Sequence, residues 1–93
     1  MPATKRIIRD VVFSSQFEGK FAALPEKIKK VARKKDRMFR TDAFHPLLRT
    51  HKLGGEFKDY WAYSVNREYR VLFYFIDDHT VAYINIGTHE IYK

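Results

Sequence analysis

Between positions 60 and 86 three apolar, aromatic-rich segments follow one another with only short polar breaks, the pattern of a three-stranded antiparallel meander. In the first, Trp61, Tyr63 and Val65 alternate with Ala62 and Ser64, so one face is better buried than the other. The second runs from Tyr69 to Ile76 and is bulky on both faces, which fits a central strand flanked on each side and covered on at least one face. Arg70 interrupts that run. A guanidinium at the start of such a strand must find an anion, a watery rim or a ligand, because burying it unpaired is too costly. After the third segment the chain turns at Gly87.

Upstream, residues 7–13 are β-branched and apolar apart from Arg9 and Asp10, which predicts a first strand. Ser15 and Glu18 have the spacing of a capping box, so a helix is expected to start there. Phe17, Phe21 and Leu24 lie at helical spacing, and Pro25 ends that helix while suiting the first turn of another. The apolar stripe of the second helix is Ile28, Val31, Ala32, Met38 and Phe39, running to about Arg40. Lys35 falls inside that stripe, where its stem can pack while its ammonium reaches water. Residues 41–57, broken by Pro46 and Gly54-Gly55, read as a connecting loop that bears His45, Arg49, His51 and Lys52. The expectation is one α+β domain over residues 1–93: an N-terminal strand, a helical hairpin and a three-stranded antiparallel meander forming one sheet.

Composition narrows the function classes. Hydrophobic residues make up 45% and charged residues 31% of 93, so a folded domain with a single core is expected. Cysteine is absent, which removes disulfide scaffolds, thiolate metal sites and thiol catalysis. No apolar run reaches a membrane span and no signal-peptide core is evident, so no membrane partner and a cytoplasmic location are expected. The net charge of +7 favours a polyanionic partner. Much of it falls on the second helix, whose polar face carries Lys29, Lys30, Arg33, Lys34, Arg37 and Arg40 against Glu26 and Asp36. Such a face is either simply solvated or tracks phosphates, with Lys30, Arg33 and Arg37 as the RNA-binding candidates.

The chain has no glycine-rich phosphate loop and no His-Glu-x-x-His helix, its histidines are not paired at helical spacing, and Ser64 lacks a nucleophile-elbow motif. No metal and no cofactor are expected. Metal-free RNA cleavage through the 2′-OH needs a base, a cation for the crowded phosphorane and an acid for the departing 5′ oxygen. His51, Glu68, Arg70, His89 and Tyr92 supply those chemical types. Each also has a plainer reading: a solvated loop histidine, a hairpin glutamate paired with Arg67 or Arg70, a tyrosine closing the core.

Three short stretches occur in order: His51-Lys52-Leu53 with Gly55 before the second strand of the pattern, Glu68-Tyr69-Arg70-Val71 at the start of the next, and Ile86-Gly87-Thr88-His89 after the last. With them, the chain from about Ile7 to Tyr92 resembles the RelE/ParE superfamily of toxins from type II toxin-antitoxin systems, in particular its RelE, YafQ and YoeB-like members. The resemblance implies a ribosome-dependent mRNA endoribonuclease that inhibits translation, is a monomer when free and forms a hetero-oligomer with a cognate antitoxin. It implies that His51 and His89 match histidines of YafQ-like toxins, Glu68 an acidic residue of that group, Arg70 the arginine of RelE and YoeB, and Tyr92, more loosely, a C-terminal aromatic. Lys52 is expected to join Arg70 in attracting phosphate. Where YafQ-like toxins carry a further histidine this chain has Ser64, one acid-base group fewer. Two other readings within the superfamily are a ParE-like DNA gyrase poison and a binding relative without cleavage activity.

Overall fold

Ser14 ties the first strand to the first helix. Its hydroxyl accepts the Phe17 amide at 3.0 Å and donates to the Ile84 carbonyl at 2.8 Å, while its own amide donates to the Tyr83 carbonyl. The helix N-cap is therefore Ser14 and not the expected Ser15. Either serine could satisfy a free amide of the first turn, and only Ser14 also reaches a strand. In the computed structural model, which describes residues 5–92, β1 (Asp10–Phe13) leads through this cap into α1 (Ser15–Ala22). Pro25 then caps α2 (Glu26–Thr41), giving the expected helical pair that meets near Leu24. Residues 1–4 and 93 lie outside the described residues.

The predicted meander forms β3 (Trp61–Ser64), β4 (Arg70–Asp77) and β5 (Thr80–Gly87). A further strand, β2 (His51–Lys52), pairs antiparallel with β3, and the sheet order is β1-β5-β4-β3-β2 with β1 parallel to β5. The meander segment that is bulky on both faces is thus the middle strand of five. Two further expectations need correction. The first strand begins at Asp10 rather than residue 7, because the preceding backbone serves the end of α2: the Ile8 amide donates to the Arg40 carbonyl and the Arg6 carbonyl accepts the Ala43 amide. The 41–57 stretch is not all loop, since it holds β2 and two 3₁₀ turns (Pro46–Leu48 and Gly55–Phe57). Two paired residues are too few to leave a period-2 signal.

Alternation sorts the sheet into two faces. Tyr63, Val71, Phe73, Tyr83 and Ile86 face the helices and are almost fully buried. Phe39 of α2 enters among them, stacked on Tyr63 at 4.7 Å and edge-on to Phe73 at 4.9 Å. The Tyr63 hydroxyl donates to that of Tyr83 at 3.0 Å, and Tyr83 donates to Asp36 Oδ1 at 2.7 Å. Arg40 closes the chain on the other oxygen of Asp36 at 3.0 Å, so an acid that the sequence placed on a solvated face anchors α2 to the sheet. The opposite sheet face carries Ala62, Ser64, Arg70, Leu72 and Asn85, brought side by side by the strand register.

Candidate active site

Arg70 is the first residue of β4 and pairs with Ser64 of β3 and Gly87 of β5, so it stands where three strands end together. Its Nη1 donates to the carbonyls of Asn66 at 2.9 Å, Arg67 at 3.1 Å and Tyr69 at 3.2 Å. The turn that supplies them is shaped by Asn66, whose Oδ1 accepts the amides of Glu68 and Tyr69, a side-chain-closed turn of the kind asparagine favours. Nε and Nη2 make no hydrogen bond among the described residues. A guanidinium has five N–H donors, so three remain on a side chain whose orientation is already fixed. Of the settings left open for Arg70, an anion, a watery rim or a ligand, its place at the end of the sheet is half-exposed.

His51 lies on the same face, one pair of residues in from that rim: it pairs with Ala62, which pairs with Leu72, which pairs with Asn85. From strand spacing and rise, its Cα is about 12 Å from that of Arg70. Its Nδ1 is 3.0 Å from the Arg49 carbonyl oxygen. A carbonyl only accepts, so in neutral His51 the proton sits on Nδ1 and Nε2 presents a lone pair. His45 and His79 are used differently: the first accepts the Leu47 amide and the second bonds the Ile7 carbonyl, both as parts of the framework.

Beyond Gly87 the chain makes a last 3₁₀ turn (His89–Tyr92). His89 is 79% exposed, with Nε2 3.7 Å from Glu90 Oε1. Tyr92 is half-buried, 6.4 Å from the Phe57 ring. Burial raises its pKa, against the opposing pull of the nearby Arg70 charge, so it is a proton-bearing hydrogen-bond donor at neutral pH. Gly87 permits this closure, because a Cβ there would lie 2.8 Å from Ile91 Cγ2. Between this turn and the sheet lies a hollow of about 410 Å³ lined by Tyr60, Leu72, Asn85, Gly87 and Thr88 among others, within the size range of small-ligand sites.

The predicted residues are only partly gathered. Arg70 and Tyr92 are electrostatic neighbours, with His89 on the same final turn and His51 on the far flank of the same face. Glu68 stands at the tip of the turn before β4, exposed, and forms no ion pair with Arg67 or Arg70 among the described residues; the carbonyls of the turn have taken its expected partner. Lys52 pairs with Trp61, so alternation points it away from the Arg70 face. Lys30, Arg33 and Arg37 are exposed on α2, on the helix side of the sheet, where Arg33 lies over the Phe21 ring at 5.6 Å. Asn85 was missed. It is a buried polar residue whose Oδ1 accepts the Ile86 amide, and its signal was a lone asparagine inside an apolar strand.

Solved structures share the fold. The YoeB/ParE toxin from Agrobacterium tumefaciens superposes with a TM-score of 0.73 at 14% identity, over 87% of this chain and 99% of that one. YafQ from E. coli gives 0.70 at 19% identity, over 90% and 97%, and the E. coli DinJ-YafQ toxin-antitoxin complex gives 0.66 at 21% identity, over 91% and 97%. The chain has the RelE-like toxin fold. No protein-family model matches the sequence, and no curated protein matches it. Within the RelE-like fold, the sheet face opposite α2 is the one that here carries Arg70 and His51. Among the described residues no helix is long and apolar enough to cross a membrane.

Proposed function

We propose that this protein is the toxin of a type II toxin-antitoxin system and a ribosome-dependent mRNA endoribonuclease that cleaves through the substrate's own 2′-OH. The observation that carries the reading is Arg70: pinned by three carbonyls at the end of three strands, with three N–H groups unbonded among the described residues. The RelE-like fold, shared with toxins solved alone and in a toxin-antitoxin complex, supports it.

In this mechanism His51 Nε2 takes the 2′-hydroxyl proton, because its Nδ1 is already committed to the Arg49 carbonyl. The 2′ oxygen attacks phosphorus, and the bond from phosphorus to the 5′ oxygen breaks. Arg70 stabilises the phosphorane charge with its free N–H fork, and Tyr92 donates a hydrogen bond beside it. Protonated His89 gives its proton to the departing 5′ oxygen, leaving a 2′,3′-cyclic phosphate and a 5′-hydroxyl. Glu68 tunes the local field, and Lys52 with Lys30, Arg33 and Arg37 supplies long-range attraction to RNA. The partners are mRNA in the ribosome and a cognate antitoxin, with the free toxin monomeric in the cytoplasm.

Induced expression in a bacterium tests this. Translation should stop and transcripts should be cut within coding sequence while DNA stays intact. Gyrase-linked DNA breaks with intact transcripts would overturn it in favour of the gyrase-poison reading.

A further inference from the structure

Around the rim from the hollow, on the α2 side of the strand ends, lies a second pocket of about 280 Å³. Lys35, Arg49, Arg67 and Arg70 line it with Ser64 and Asn66, and no carboxylate does. None of these four cations belongs to an ion pair among the described residues; the ion pairs there join Arg6, Lys29, Arg40 and His89 to acids. Converging positive charges without a counter-charge make a strong local field for an anion.

Arg49 has φ 51° and ψ 39°, the left-handed region that a long side chain occupies only at an energetic cost. Glycine or asparagine would serve that bend between the 3₁₀ turn and β2 more easily, yet the position holds an arginine lining the pocket. Asn66 has its Oδ1 committed to the turn, so its side-chain NH₂ is the group left to donate. The Ser64 hydroxyl donates to no acceptor among the described residues. Guanidinium forks, an ammonium, an amide and a hydroxyl, all donors, match the non-bridging oxygens of a phosphodiester.

We infer that the pocket of Lys35, Arg49 and Arg67 is a phosphate subsite that holds the RNA backbone one phosphodiester away from the bond being cleaved, with Arg70 shared between the two phosphates. This rests on the proposed RNA-cleaving function and adds to it three binding residues and a direction: the strand passes from the hollow over the Arg70 rim toward α2. Lys35, set within the apolar stripe of α2, acquires a role, because its half-buried stem carries the ammonium to this end of the sheet. Ser64 acquires one as a hydrogen-bond donor to the phosphate oxygens.

The test uses the intact protein and a short single-stranded RNA with 2′-O-methyl riboses, which binds and cannot be cleaved. Lys35→Gln, Arg49→Asn and Arg67→Gln are combined, asparagine being chosen because it tolerates the left-handed backbone. Binding should weaken about tenfold or more, and the log-log salt slope should fall by about 0.7, the share of one single-strand phosphate. On a cleavable RNA the variant should raise KM by a larger factor than it lowers the saturating single-turnover rate, a split that separates binding from chemistry. Inorganic phosphate should shift the Ser64 and Asn66 amide resonances in the parent and not in the variant. Unchanged affinity and slope would overturn the subsite. If the parent binds the oligonucleotide through these cations but cuts no cleavable RNA on ribosomes, the subsite stands and the proposed catalytic function fails.

Discussion

Tyr63 and Tyr83 share a hydrogen bond of 3.0 Å inside the core, and Tyr83 passes the chain on to Asp36. Burial is the main reason that both phenols have raised pKa values; for Tyr63 the bond to Tyr83 acts in the opposite direction, whereas the Asp36 charge pushes both further up. The neutral forms are therefore favoured in the folded state. A raised folded pKa gives stability that is complete below the unfolded value of about 10 and falls as pH rises above it. Denaturant titrations from neutral to strongly alkaline pH should show stability level through neutrality and dropping above about pH 10, and Tyr63→Phe should reduce that drop.

The same chain predicts unequal costs for its members. Tyr63→Phe removes one neutral hydrogen bond and should cost about 1 kcal/mol. Asp36→Ala strips the acceptor from Tyr83 and the partner from Arg40 together, and should cost about 2–3 kcal/mol. Urea unfolding midpoints compare the two directly; equal costs would mean that Asp36 does not anchor α2.

Gly87→Ala puts a methyl 2.8 Å from Ile91 Cγ2, and a β-branched neighbour has little freedom to turn aside. The final turn should shift by a fraction of an ångström, carrying His89 and Tyr92 with it. Stability should fall by only about 1 kcal/mol, whereas the single-turnover cleavage rate should fall by about tenfold or more, since small misplacements of catalytic groups are expensive. Melting temperature and rate measured on the same preparation separate the two effects.

How far the sequence foresaw this molecule depended on whether a residue's partner was close along the chain. The meander, the central placement of β4 and the helix pair hinged at Pro25 follow from periodicity and proline, which are local. The Ser14 cap, the late start of β1 and the anchoring of Asp36 each depend on an atom far along the chain: the Ile84 carbonyl, the Arg40 carbonyl and the Tyr83 hydroxyl. For the site, Arg70 was legible as an anomaly in an apolar run. The Arg49 carbonyl that fixes the His51 tautomer was not, although it lies only two residues away, because no residue type there marks the left-handed backbone at Arg49.

The outer face of α2 gives a separate prediction, since Lys30, Arg33 and Arg37 are exposed on the helix side of the sheet. If that face follows rRNA or mRNA backbone in the ribosome, replacing the three with glutamine should flatten the salt dependence of ribosome binding, by about 0.7–0.9 for each phosphate that the face no longer neutralises. The rate of cleavage once bound should not change. An unaltered slope would assign the face to solubility or to the antitoxin.

The central claim is that Arg70, His51 and His89 serve one transition state, and single-turnover cleavage of ribosome-bound mRNA measures it most directly. Arg70→Ala, His51→Ala and His89→Ala should each slow cleavage by about 100-fold or more, with Arg70→Lys recovering only part of the loss because it keeps the charge without the planar fork. The His51→Ala/His89→Ala double variant should lose less than the product of the single losses, as groups acting on one transition state do. Folding should survive in all of them, since His51 and His89 are exposed and Arg70 is half-exposed. Cleavage at the parental rate by both histidine variants would contradict the account.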